Sequence, residues 1–251
     1  MSQHDPLPLL LRALRLPTMA AEYAGVIATA EAENWGYRRL LLHLAEAETS
    51  ERTSRRIQRR LDESGLPPGK ILAALDLHKW PEKIRRQLPT LLEADFVRRG
   101  DTVCAFGLPG RGKSTFVAAL AREWIQRHQF RVLFTPTFKL VGQLLAAKRD
   151  LKLNAMLAKL QRYDAVCLDE IGYTQQSSDE GDVLFQFLAE RYEQKSVVIT
   201  SNLVFSQWDK IFHHPMTAMA AADRLVHHGV ILEFTNESLR TPKAARSPTP
   251  A

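Results

Sequence analysis

With only two cysteines in 251 residues, Cys104 and Cys167, the chain has neither a disulfide framework nor a zinc-finger ligand set. Both fall in apolar stretches that read as buried strands, so reduced core thiols are expected. The histidine pairs His213-His214 and His227-His228 lack cysteine companions at ligand spacing, and sequence neighbours do not share a helix face. Structural or surface histidines, and no metal site, are expected there. No apolar run approaches the ~18 residues of a spanning helix, and the N-terminus lacks a basic region followed by an apolar one. A soluble, cytoplasmic chain with no membrane partner follows. There is no internal repeat. What is present is ordinary globular usage, 45% hydrophobic and 25% charged, enough for one sizeable core and a smaller domain. The net charge of +6 points to an anionic partner.

Residues 1–66 read as a small all-helical domain. Leu7 to Leu16 is leucine-rich and stops before Pro17; Thr18 reads as the N-cap of a helix over Ala20 to Glu31; Trp35 to Arg60 carries apolar residues at helical spacing. On the last of these, Arg52, Arg55, Arg56, Arg59 and Arg60 recur at i, i+3, i+4, i+7 and i+8 and share one face, opposite Ile57 and Leu61. Such a stripe offers guanidinium forks to phosphates, and without base-reading residues beside it the expected ligand is the DNA backbone. A merely solvated arginine face is the competing reading. Gly65-Leu66-Pro67-Pro68-Gly69 breaks the pattern as a linker would. Residues 67–240 then form the second domain, and 241–251, small, polar and proline-rich, a disordered tail.

The second domain carries Gly107-Leu108-Pro109-Gly110-Arg111-Gly112-Lys113-Ser114 between a strand candidate, Thr102 to Phe106, and a helical stretch, Thr115 to Gln126. This is a P-loop. Its glycines reach backbone conformations closed to other residues, so successive N–H groups can turn toward phosphates. Lys113 supplies a charge to the β- and γ-phosphates of ATP, Ser114 a hydroxyl for Mg²⁺, and the helix beginning at Thr115 its positive end. Tyr163 to Glu170 is an apolar run ending in two carboxylates, as a central parallel strand delivers acids to its C-terminal edge. Asp169 is the expected Mg²⁺ ligand and Glu170 the group that orients or deprotonates water. Ser196 to Asn202 is a further β-branched strand that sets Asn202 to sense the γ-phosphate. Arg131 to Phe134 and Val230 to Phe234 bring a parallel sheet to five strands within an α/β fold. Trp80 or Leu75, in the stretch leading into this domain, is the candidate for adenine contact.

Taken with Leu14 to Ala20, Leu168 to Tyr173, Ile199 to Leu203 and Ala222 to Gly229, the P-loop gives a chain that resembles, over nearly its whole length, the IstB-type helper ATPases of insertion sequences. These are similar to replicative helicase loaders and fall in the AAA+ class. The resemblance implies an N-terminal DNA-binding domain, an AAA+ ATPase, a homo-oligomer assembled with ATP on double-stranded DNA, and a separately encoded transposase as partner. It marks Arg224 as an arginine finger acting on a neighbouring subunit; a local salt bridge to Asp223 or Glu233 is the alternative. It also makes Lys139, Lys148, Arg149 and Lys152 candidates for DNA contact. Arg111 stands where the family has a small residue, Thr115-Phe116 where it has His-Leu, and Arg240 is the only candidate second-sensor arginine. A helicase loader and a small-molecule P-loop kinase are the rival functions, the second leaving the arginine stripe and Arg224 without a role.

Overall fold

A computed structural model of the chain describes residues 5–172, 177–212 and 214–239. The expected tail over 241–251 lies outside the described residues, as do His213 and Arg240. Tyr173 lies outside them too. The chain divides into two compact units, Met1–Arg59 and Arg60–Ala251.

The first unit is helical: α1 (Leu7–Ala13), α2 (Pro17–Ala32) and the part of α3 (Tyr37–Glu63) that reaches Arg59. Ala20, Ala30 and Leu44 are buried in it. Thr18 is not the N-cap of α2. The helix begins at Pro17, whose fixed φ suits the first helical position, and Leu16 caps it with no side-chain bond. The orphan donors go instead to another helix: the carboxylate of Glu48 accepts the N–H of Thr18 at 2.7 Å and of Met19 at 3.1 Å. Burial pulls the Glu48 pKa upward, but those two bonds and the charge of Arg52 outweigh it and hold the carboxyl below its ordinary value.

The second unit is built on a five-stranded sheet in the order β2-β3-β4-β1-β5. Its strands are β1 (Thr102–Phe106), β2 (Val132–Pro136), β3 (Ala165–Ile171), β4 (Ser196–Ser201) and β5 (Gly229–Glu233), and every pairing is parallel. Around it run α4 (Glu82–Glu93), α5 (Asp95–Arg99), α6 (Lys113–His128), α7 (Thr137–Arg149), α8 (Leu153–Leu160), α9 (Ser178–Arg191), α10 (Asp209–Phe212) and α11 (Pro215–His227). Helices on the faces explain why β1 and β4 are buried along their whole length and why their sequences are mostly apolar and β-branched. Cys104 and Cys167 are free thiols with no exposed surface, and burial pushes the Cys104 thiol up to about 12. Arg191, 1% exposed, laces the starting ends of two strands: its guanidinium donates to the carbonyls of Tyr163 and Ser196. Among the described residues no helix is long and apolar enough to cross a membrane.

Candidate nucleotide site and basic groove

The C-terminal ends of β1, β3 and β4 open on one cleft of about 1300 Å³ in the second unit, where Gly110, Gly112, Lys113, Ser114, Thr115, Glu170 and Asn202 meet. Gly107, Gly110 and Gly112 hold φ values of 152°, 84° and 90°, so the loop does use backbone closed to side chains. At Gly107 a Cβ would also stand 2.5 Å from the carbonyl oxygen of Phe234. Gly107→Ala is therefore expected to weaken ATP binding at least ~10-fold and to lower the melting temperature, because strain of about 1–3 kcal/mol falls on the loop itself. Unchanged binding by a fluorescent ATP analogue would refute that account. Gly112 caps α6, which starts at Lys113, earlier than the expected Thr115, because the left-handed glycine closes the loop directly onto the helix.

Lys113 is 8% exposed, and its ammonium donates to the carbonyls of Gly107 at 2.7 Å and Leu108 at 3.0 Å. The charge is held over the loop by weak acceptors that a phosphate oxygen outbids. Arg111 has a defined internal partner: Nη1 donates to the Phe234 carbonyl at 2.8 Å, and Asn236 Nδ2 donates back to the Arg111 carbonyl at 3.3 Å. Arg111 thereby pins the loop to the chain after β5. That chain also supplies Leu239, whose N–H donates to the Gly110 carbonyl at 2.9 Å. Leu75 and Trp80 line the same cleft. Trp80 packs edge-on against Phe116, and its Nε1–H is buried without a hydrogen-bond partner. Sequence reasoning did not find Glu237-Ser238-Leu239 as cleft residues, and they carry no motif that would have flagged them.

The two acids of β3 lie in a β-bulge. Leu168 pairs with Ile199 and Ile171 with Ser201, so Asp169 and Glu170 together face Thr200. Glu170 takes φ +59°, left-handed backbone that a glutamate adopts only when its surroundings impose it. The bulge re-aims the strand end, turning Glu170 to the cleft. Thr137, the first residue of α7, donates to the Asp169 carbonyl at 2.9 Å. The hydroxyl of Ser114 and the carboxylate of Asp169 are hard oxygen donors, which suits Mg²⁺.

Arg224 is not in this cleft. It sits on α11 beside a smaller cavity with Tyr192, Glu193 and His228, its guanidinium 4.6 Å from the ring centre of Phe185. One of its terminal nitrogens is buried without a hydrogen-bond partner, and among the described residues it makes no ion pair with Asp223 or Glu233. His227 and His228, at the end of α11, gather around Glu193 with ligand atoms within 4.8 Å of one another, all exposed. The one-face argument for separating the histidines fails at a helix terminus, where His228 has already left helical geometry.

In the first unit, Arg52, Arg55, Arg56 and Arg59 line a groove of about 580 Å³. Arg12, on α1, and Arg15, in left-handed backbone between α1 and α2, complete it, two residues the sequence reading passed over. The stripe is not simply solvated. Arg52 donates to Glu48 and to the Arg15 carbonyl, and Arg55 donates to Glu51 and Thr18, so these guanidiniums are oriented by the unit itself. Arg60 is half-buried, belongs to the second unit and does not line the groove. Lys139, Lys148 and Arg149 are exposed on α7, and Lys152 precedes α8. Lys148 pairs with Asp179 at 2.8 Å.

A P-loop and a two-acid bulge on a parallel sheet of this order define a P-loop protein of the AAA+ class. The chain belongs to the family of IstB-like ATP binding proteins, whose family model matches residues 9–247. It is 38% identical to an insertion-sequence ATP-binding protein of Sinorhizobium fredii over 95% of this chain and 80% of that one. It is 32% identical to the IS5376 ATP-binding protein of Geobacillus stearothermophilus, over 90% of each. Solved structures share the fold at lower identity. DnaI aligns with TM-score 0.55 and 21% identity over 68% of this chain and 96% of that one. The replication initiator DnaA, bound to AMPPCP and single-stranded DNA, aligns with TM-score 0.57 and 14% identity over 69% and 52%.

Proposed function

We propose that this protein is a cytoplasmic, ATP-hydrolysing helper of transposition that oligomerises on duplex DNA, presents or remodels target DNA and recruits a separate transposase. The observation that carries the ATPase part is the single cleft holding the phosphate loop, the re-aimed Glu170 and Asn202 together. Lys113 exchanges its two loop carbonyls for the β- and γ-phosphate oxygens of ATP, while backbone N–H groups of residues 107–115 and the start of α6 receive the rest of the triphosphate. Leu75 and Trp80 form the wall toward the adenine, where the unpartnered indole N–H has an acceptor to gain. Mg²⁺ held by Ser114 and Asp169 would neutralise charge between the β- and γ-phosphates. Glu170 orients a water and takes its proton as the water oxygen bonds to phosphorus and the bond to the bridging oxygen breaks. Asn202 bridges that water and the γ-phosphate, and Arg224 reaches the γ-phosphate of a neighbouring subunit.

The six-arginine groove supports DNA binding: its cations converge on one concave surface and their geometry suits phosphate oxygens. Lys139, Arg149 and Lys152 are secondary DNA contacts. Lys148, already paired, contributes least. Relatives at 32–38% identity are named for insertion sequences and align along almost the whole chain, which favours the transposition helper over the helicase loader.

ATP turnover and mass in solution, each with and without random-sequence duplex DNA, test this reading together. Large assemblies requiring both ATP and DNA, with turnover changed by DNA, are expected; a monomer indifferent to DNA would end it. Replacing the groove arginines with serine is expected to weaken unrelated duplexes alike and flatten the salt dependence by about 0.9 log unit for each phosphate no longer neutralised. An unchanged slope would move the DNA surface elsewhere.

A further inference from the structure

The bulge in β3 has a single residue opposite it, and that residue bonds to both acids. Thr200, 1% exposed on the central strand β4, donates its hydroxyl proton to Asp169 Oδ1 at 2.6 Å. The same hydroxyl oxygen accepts the backbone N–H of Glu170 at 2.9 Å. The directions are forced, since a backbone N–H only donates and a carboxylate only accepts. One hydroxyl therefore fixes the rotamer of the expected metal ligand and the left-handed backbone of the expected base. In an ordinary parallel ladder the Glu170 N–H would find a carbonyl on β4. The two-against-one bulge denies it that partner, and the Thr200 side chain replaces it.

We infer that Thr200 is a positioning residue of the nucleotide site, holding Asp169 toward the metal and Glu170 toward the attacking water as one unit. The inference rests on the ATPase reading above for its consequence, though not for its geometry. Thr200 does not line the nucleotide cleft. It acts through the two acids, and because Ser201 and Asn202 follow it directly on the chain, it also ties the acids to the strand that presents Asn202 to the cleft. Valine has the shape of threonine without the hydroxyl, so Thr200→Val removes both bonds and little else. Serine keeps both.

The test titrates a fluorescent ATP analogue onto the full chain with and without Mg²⁺, beside steady-state turnover and a thermal melt. Thr200→Val is expected to bind the analogue normally without Mg²⁺, to lose most of the tightening that Mg²⁺ brings, and to turn over ATP about 10²-fold more slowly, the scale of a lost hydrogen bond to a charged group. Thr200→Ser should return both quantities to within about threefold of the parent. If Thr200→Val does not fold, Thr200→Ala is compared with Thr200→Ser by the same titration. A valine variant with the parent's Mg²⁺ dependence would overturn the assignment, and so would a folded serine variant as defective as valine. If the parent itself hydrolyses no ATP on DNA, the ATPase reading fails, but the Mg²⁺ dependence of binding still decides the role of Thr200.

Discussion

Replacing Arg224 with alanine is expected to lower DNA-stimulated ATP turnover by roughly 10³-fold, the lower end of what an arginine finger supplies, while ATP affinity stays within a few-fold. The expectation comes from where the side chain is. Arg224 lines a cavity other than its own nucleotide cleft, rests on Phe185 and, among the described residues, has no carboxylate partner. A guanidinium so placed is costly to keep unless something else claims it. The proposed claimant is the γ-phosphate of a neighbouring subunit. Mixing makes the point sharper. Lys113→Ala would lack the phosphate cation and Arg224→Ala the proposed finger, so each alone is expected to be inactive. Combined, they are expected to form some interfaces in which an intact P-loop faces an intact Arg224, and turnover to recover in part. No recovery from two variants that co-assemble would assign Arg224 to its own subunit's packing.

Glu170→Gln should retain ATP and Mg²⁺ affinity, lose turnover by about 10²–10⁴-fold as expected for a removed general base, and prolong the DNA complex. The amide keeps the shape of the side chain and the backbone N–H to Thr200, so the bulge survives. Only the proton acceptor is lost. Rapid hydrolysis by this variant would take Glu170 out of the mechanism. DNA retention measured at matched salt reads the second half of the expectation.

The features legible in the chain were those whose chemistry is local. A phosphate loop is specified within eight residues because its glycines, lysine and serine act through their own backbone and the next turn of helix. Strands β1 and β4 were readable because burial on both faces leaves a run of mostly apolar and β-branched residues. Misread features had partners far along the chain. Thr18 looks like an N-cap until Glu48 arrives from another helix to take its N–H. Arg111 has no assignable partner until the Phe234 carbonyl, 123 residues on, accepts from it. Lys148 reads as a DNA-contact candidate until Asp179 pairs with it, and Arg12 and Arg15 join the stripe only when the chain from α1 to the start of α2 folds beside α3.

By itself, then, the sequence determined the class of fold, the nucleotide loop, the two acids and the family, because each is written in short-range residue patterns. The tertiary structure decided the geometry of the acids. A β-bulge is a mismatch between two strands, and no single strand records it. That mismatch puts Glu170 into left-handed backbone, and it hands the hydroxyl of Thr200 two partners from a strand joined to its own only through the fold.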